Sequence, residues 1–322
     1  MQDSKRGSSG SKSLILLAVT LGVLLFWGSP SQAEQPLKPP CVLLLEVAPI
    51  CSEYAPDEEV LLRYTLTNCS KKAFSIRHPW VWNGIVWHWF KVFQDGEVLE
   101  NPLSYKDYDF RMTTTLAPGE QVTYVFQAWR TVRFKKNPED RVGLYMVETN
   151  YSQPLYDGEM VFSPKRAAFR IVPKNEKRSL GEVLTLRGST ELTLSKAEDV
   201  VPFKRILQSR TLESGDQLRL LQRARKTGSK DRFWEVLLAS PDVYAVVTMV
   251  DSLEKSWLDA ESLFTLLEHK DLAVRRCAVQ ALGRLGSQPK LVERLKKFLA
   301  TQTDEPTLSF GKEAVKLLQS KR

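Results

Sequence analysis

The sequence contains few of the residues that enzymes use for acid–base, nucleophilic or metal chemistry. It has three histidines, His78, His88 and His269, and no two of them have the spacing of metal ligands. It has no C-x-x-C pair, no G-x-S-x-G motif and no glycine-rich loop of the kind that binds phosphate. We therefore expect a protein that is not an enzyme, with no catalytic residue, no cofactor and no metal.

Cysteines are also scarce, and only Cys41, Cys51, Cys69 and Cys277 occur. Cys51 and Cys69 bracket one predicted strand, which makes them a candidate disulfide if the compartment is oxidising. The pairing among the first three cysteines stays open, because sequence alone does not decide it. Cys277 falls on the apolar face of a predicted helix, where a buried thiol is expected.

The sequence has one long apolar run, Leu14–Trp27, of fourteen residues. A helix that spans a bilayer needs about twenty. Lys5, Arg6 and Lys12 precede the run, and small residues lead to Ala33. This pattern predicts a signal peptide over residues 1–33 with cleavage after Ala33, and hence a secreted or periplasmic protein. The alternative is an uncleaved N-terminal membrane anchor.

The net charge of +8 is distributed unevenly. Residues 34–173 carry 16 Lys and Arg against 17 Asp and Glu, whereas residues 174–322 carry 27 against 20. An exported protein rarely meets nucleic acid, so the basic half favours an acidic protein partner, an envelope polymer or anionic lipid head groups. The alternative is that ordinary solvated helix faces carry these charges.

Residues 40–173 have the pattern of an antiparallel β-sandwich. Apolar residues alternate with polar ones over 60–67, and again over 122–128 after the turn Ala117–Glu120. Other short runs rich in β-branched residues predict the strands Val42–Val47, Ile85–Phe93, Gly143–Thr149 and Ala168–Val172. Short strands separated by polar turns are typical of an immunoglobulin-like sandwich.

Several turn and core residues of this part occur in a characteristic order. A strand ending at Asn68 is followed by Phe90–Gly96, Leu116–Glu120 and Trp129. This arrangement resembles the bacterial intracellular proteinase inhibitor family over about half of the β-rich part. The resemblance implies an immunoglobulin-like fold and, as one alternative function, protease inhibition.

A tryptophan-rich segment surrounds Asn83-Gly84, a pair that suits a two-residue hairpin turn. In that register four tryptophans share one face of the hairpin. If that face is exposed, it predicts a surface for sugars or for an apolar partner; if it is buried, it belongs to the core. The candidate binding residues are Trp80, Trp82, Trp87 and Trp89.

Residues 174–215 are predicted to be a linker or a segment of mixed structure. A strand pair is predicted at Val183–Leu186 and Glu191–Leu194, and a helix near Val201–Gln208.

Residues 216–322 are predicted to be helical, with apolar positions three and four apart. Asp271 can cap a helix, and Gly286 can end it. The inner stripe of that helix is predicted to be Val274, Cys277, Ala278, Ala281, Leu282 and Leu285. The segment from Leu266 to Gly286 resembles a HEAT repeat, and Asp242 and Asp304 begin weaker copies. This implies three helical hairpins, at about 230–254, 259–286 and 289–319, in a short α-solenoid.

These features favour an exported scaffold or interaction protein that binds through its HEAT-like helices, its β-sandwich or both. A carbohydrate- or wall-binding protein using the tryptophan hairpin, and a protease inhibitor, are the alternatives. The Arg275-Arg276 pair is expected to be structural.

Overall fold

The computed structural model describes residues 43–77, 90–99, 113–128, 137–149, 166–177, 192–209 and 212–320. The predicted signal peptide at 1–33 and the tryptophan hairpin at Trp80–Trp89 lie outside these residues. Cys41–Arg322 form one compact unit. The β-rich part and the helical part therefore belong to the same folded body.

The strands lie in the first half of the chain. The alternation predicted over 60–67 is confirmed, because Leu62, Tyr64 and Leu66 are buried and the residues between them are half-buried. The strands are β1 Leu43–Pro49, β2 Glu53–Tyr54, β3 Leu61–Asn68, β4 Phe74–Arg77, β5 Phe90–Gln94, β6 Glu97–Val98, β7 Thr113–Leu116, β8 Gln121–Gln127, β9 Gly143–Thr149 and β10 Arg166–Ile171.

These strands form a three-stranded sheet in the order β1-β3-β8, a five-stranded sheet in the order β2-β10-β9-β5-β6, and the pair β4-β7. The buried faces of the two larger sheets share one apolar core, which includes Leu45 and Tyr64 from the first sheet and Val147 and Phe169 from the second. The described pairs are antiparallel except β2 with β10, which are parallel. The predicted antiparallel pairing is thus confirmed for the other described pairs, and β2 with β10 departs from it.

The second half is helical, and the three predicted hairpins are present. The helices are α1 Val200–Leu207, α2 Ser214–Thr227, α3 Lys230–Leu237, α4 Val243–Ser252, α5 Ala260–Leu267, α6 Leu272–Arg284, α7 Pro289–Leu299 and α8 Glu305–Gln319. Helices α3 and α4 form the first hairpin, α5 and α6 the second, and α7 and α8 the third.

The helices enclose a second apolar core. The predicted inner stripe of α6 is confirmed, since all six of its residues are buried. Gly286, which follows the C-cap residue Leu285 of α6, takes a positive φ of 72°, which explains why the helix ends there. Leu192 and Leu194 lie in this core without forming a strand, so the strand predicted at Glu191–Leu194 is wrong for its described residues.

Within the described residues, none of the helices is long and apolar enough to cross a membrane.

Candidate functional site at the junction of sheets and helices

The second helix of each hairpin begins with a buried aspartate. The carboxylate of Asp242 accepts from the Ala245 amide at 2.8 Å, and that of Asp271 accepts from the Ala273 amide at 2.8 Å. Asp304 accepts from the Thr307 amide at 3.0 Å. Each aspartate satisfies an amide that the first turn of its helix leaves free, which confirms the predicted capping role of Asp271 and extends it to the other two hairpins.

Asp271 also binds the β-rich part. Its carboxylate accepts from the Thr123 hydroxyl at 2.7 Å, from the Thr123 amide at 3.2 Å and from Gln121 Nε2 at 2.9 Å. The Gln121 amide donates to the carbonyl of Lys270 at 3.4 Å, which forms a short parallel bridge between the turn and β8. The start of α6 thus covers part of the outer edge of β8, and Leu272 enters the core of the sheets.

Asp304 contacts the sheets through an arginine. Arg276 binds both carboxylate oxygens of Asp304, at 3.0 and 2.8 Å, and also donates to the Thr114 hydroxyl at 3.1 Å and the Tyr124 hydroxyl at 3.3 Å. Burial raises the pKa of Asp304, but the hydrogen bonds and charge of Arg276 outweigh it and hold that pKa below its ordinary value. The buried pair therefore stays ionised where the third hairpin meets β7 and β8.

Arg275 makes a separate contact with the turn between β7 and β8. It donates to Glu120 Oε1 at 2.6 Å and to the carbonyl of His269 at 2.9 Å. Arg275 and Arg276 are 7% and 5% exposed, so little of either side chain is open to solvent. Both arginines join the helices to the sheets.

The first hairpin meets β3 through Asp242. Arg63 Nη1 lies 2.7 Å from the Asp242 carboxylate and 3.0 Å from the Ser214 hydroxyl, and Ser214 donates to Asp242 at 2.6 Å. Beside them, the Ser52 amide donates to Glu213 Oε2 at 2.9 Å. These bonds bring the starts of α2 and α4 against the sheets.

Helix α2 approaches the β-rich part very closely at Gly215. Its amide donates to the carbonyl of Ile50 at 3.0 Å. A Cβ at this position would lie 2.3 Å from Cys51 Sγ, well inside van der Waals contact. Burial raises the pKa of the Cys51 thiol to about 11, so this thiol is neutral at physiological pH.

We expect Gly215→Ala to lower the free energy of unfolding by about 1–3 kcal/mol, because the new methyl group overpacks against Cys51 Sγ. In a Cys51→Ala background the sulfur is gone, and the same substitution should cost far less. Urea unfolding of the wild type, both single variants and the double variant measures this difference. An equal cost in both backgrounds would show that the sulfur is not the cause.

A cleft of about 570 Å³ opens next to the contact between Arg63 and Asp242. Arg63 binds both Asp242 and Ser214 through Nη1, and among the described residues its other two nitrogens donate to no partner. The cleft is lined by Pro49, Ser52, Arg63, Gln208, Ser209, Leu212, Glu213, Ser214, Gln217, Pro241 and Asp242. Its volume falls in the range of small-molecule sites.

The candidate site residues predicted from sequence fall elsewhere. Trp80, Trp82, Trp87 and Trp89 lie outside the described residues. Cys51 and Cys69 are both free thiols, and the predicted disulfide between them is wrong. They lie beyond opposite ends of β3, a strand of about 27 Å, whereas a disulfide requires Cα atoms about 4.4–6.8 Å apart.

The described residues also show the surroundings of the acidic side chains, of Cys277 and of Arg63. In the part of the chain described by the structure, no three His, Cys, Asp or Glu side chains lie close enough to hold a metal ion. Cys277 is buried as predicted, and its thiol donates to the carbonyl of Val247 at 3.6 Å. The Arg63–Asp242 contact and the cleft beside it were not predicted.

Comparison with known families addresses the helical part. Residues 232–309 match a family model described as HEAT repeats. The three hairpins are a HEAT-like array. The match includes the capping aspartates of all three HEAT hairpins, in agreement with the spacing of these residues in the sequence.

The remaining comparisons give little more. No curated protein matches the chain. A solved structure of a candidate lipoprotein (ycdA) from Bacillus subtilis is similar at 12% sequence identity, and the alignment covers 87% of this chain and 86% of that one. Its TM-score of 0.21 is too low to support a shared fold.

Proposed function

We propose that this chain is an exported, non-enzymatic scaffold protein that binds a partner protein at the junction of its β-rich and HEAT-like parts. The proposal includes an immunoglobulin-like organisation of the sheets and removal of residues 1–33 during export. The capping aspartates of the HEAT hairpins contact the chain's own sheets directly or through Arg276, so the two parts form one platform. This arrangement favours a partner that contacts the β-rich part and the HEAT-like part at the same time. It is less suited to a partner that binds the HEAT-like helices alone.

The observation that carries the proposal is the cleft, since both parts supply its walls. Ser52 and Arg63 come from the β-rich part, and Gln208, Glu213 and Gln217 from the helices. The Ser52 amide donates to Oε2 of Glu213, and the other carboxylate oxygen of Glu213 can accept a further hydrogen bond. Arg63 from the β-rich part supplies donors to the same cleft. Such a mixture suits the polar backbone and side chains of a peptide segment.

Position 208 offers a direct test of partner binding. A photoreactive residue at Gln208, which is exposed at the end of α1, is expected to cross-link one defined protein in the native host. The same residue at Gln222, an exposed glutamine of α2 outside the cleft, serves as the matched control. Gln208→Trp should fill the cleft and abolish the complex, whereas Gln222→Trp should leave it intact.

The outcomes separate the candidate functions. Equal cross-linking from both positions, or a complex that survives Gln208→Trp, would contradict a partner site in the cleft. Cross-linking to a polysaccharide would favour the carbohydrate-binding alternative, and trapping of a protease would favour the inhibitor.

A further inference from the structure

The turn between α5 and α6 depends on one histidine. His269 Nδ1 accepts a hydrogen bond from the Asp271 amide at 3.0 Å, and the His269 carbonyl accepts from Arg275 at 2.9 Å. The imidazole thus fixes the backbone immediately before the capping aspartate of the second hairpin.

The same turn makes the central contact with the sheets. The carbonyl of Lys270 and the carboxylate of Asp271 accept the bonds from Gln121 and Thr123 of β8. A nitrogen that accepts a hydrogen bond carries no proton, and an imidazolium has donors on both nitrogens. Protonation of His269 Nδ1 would therefore place two donors face to face and displace the Asp271 amide.

We propose that the turn His269–Asp271 is an acid-sensitive switch that loosens the contact between β8 and the second HEAT hairpin when His269 is protonated. This turn lies apart from the cleft, whose lining includes none of His269, Lys270 and Asp271.

The charges around His269 set the pH range. Burial lowers the pKa of His269 below its ordinary value of 6.5; Asp271 opposes this, whereas Lys270 and Arg275 add to it. Among the described residues, Glu268, next in the chain, and Glu120, which is paired with Arg275, also lie near this turn.

The direction of the pH effect follows from that lowered pKa. The unfolded chain takes up a proton near pH 6.5, whereas the folded turn does so only at lower pH. The stabilisation from neutral His269 is therefore complete above pH 6.5 and is lost progressively as the pH falls toward the folded pKa.

Hydrogen exchange at the amides of Gln121 and Thr123 in the full chain tests the proposal. After correction for the intrinsic pH dependence, we expect exchange to be about threefold faster or more at about pH 5.5 than at about pH 7.5. The amides of β10, which lie in the other large sheet, serve as the internal control. In His269→Asn the side-chain oxygen replaces Nδ1 as an acceptor without titrating, so the change should disappear.

A titration of the wild-type imidazole by NMR provides a test that needs no variant. The proposal requires His269 to titrate below 6.5, and a measured pKa at or above that value would overturn it. Unchanged protection of Gln121 and Thr123 across the range, or the same loss in His269→Asn, would overturn it equally.

Discussion

Asp271→Ala is expected to release the second HEAT hairpin from β8 and to lower the free energy of unfolding by about 3–5 kcal/mol. The carboxylate is fully buried and accepts four hydrogen bonds, one from its own helix and three from Gln121 and Thr123. Alanine removes the acceptor and leaves the buried Thr123 amide without its partner, while the Thr123 hydroxyl keeps only its contact with the Thr65 hydroxyl at 3.0 Å. The loss therefore exceeds that of an ordinary helix cap, which is about 1 kcal/mol.

The matched control is Asp259→Ala. Asp259 caps α5 through the Ser262 amide at 2.8 Å, but it begins the first helix of the hairpin, and its carboxylate accepts no other hydrogen bond among the described residues. Urea unfolding should show a loss of about 1 kcal/mol for Asp259→Ala. Similar losses for the two variants would contradict a role for Asp271 in joining the parts.

Arg276→Met is expected to cost about 3–5 kcal/mol, because it leaves the Asp304 carboxylate, which is 2% exposed, without its cation. The side chain also donates to Thr114 and Tyr124, so the substitution removes the bond between the third hairpin and the sheets. Arg276→Met combined with Asp304→Asn should recover much of the loss, since asparagine is neutral and still caps the helix. Thermal unfolding of the four proteins forms the double-mutant cycle.

An exposed ion pair provides the comparison for Arg276. Arg294 lies 2.7 Å from Glu261, and these side chains are 48% and 75% exposed. Arg294→Met should cost less than about 1 kcal/mol, because solvent already screens that pair. If the double variant Arg276→Met/Asp304→Asn is no more stable than Arg276→Met alone, an unpaired carboxylate is not the source of the loss.

Local patterns predicted most of the elements. The alternation of apolar and polar residues predicted the buried face of β3. The aspartates that precede apolar stripes predicted the helices α4, α6 and α8 together with their N-terminal caps. These features depend on neighbours within a few residues, where the period of a strand or helix fixes which side chains share a face. The predicted strand in 191–194 failed because Leu192 and Leu194 are buried by the helices instead of by a sheet.

The junction could not be predicted in the same way, because its partners are about 150 residues apart in the chain. Thr123 lies between the core residues Val122 and Tyr124, so the sequence pattern predicts that its side chain faces solvent. In the structure Thr123 is buried, because the start of α6 covers it. One local signal was available in Leu272, an apolar residue at the start of α6 and outside its inner stripe. The predicted Cys51–Cys69 disulfide failed because two residues that bracket a strand in the sequence lie near its opposite ends, too far apart to bond.

HEAT arrays commonly gain or lose whole hairpins, because each hairpin contacts only its neighbours. In this protein each hairpin has its own counterpart in the sheets: Asp242 binds Arg63 on β3, Asp271 binds β8, and Asp304 is joined through Arg276 to Thr114 on β7. Removing or duplicating a hairpin would leave a carboxylate or a strand residue without its counterpart. Loss of a hairpin would therefore also break a contact with the sheets, a cost that a free solenoid does not have.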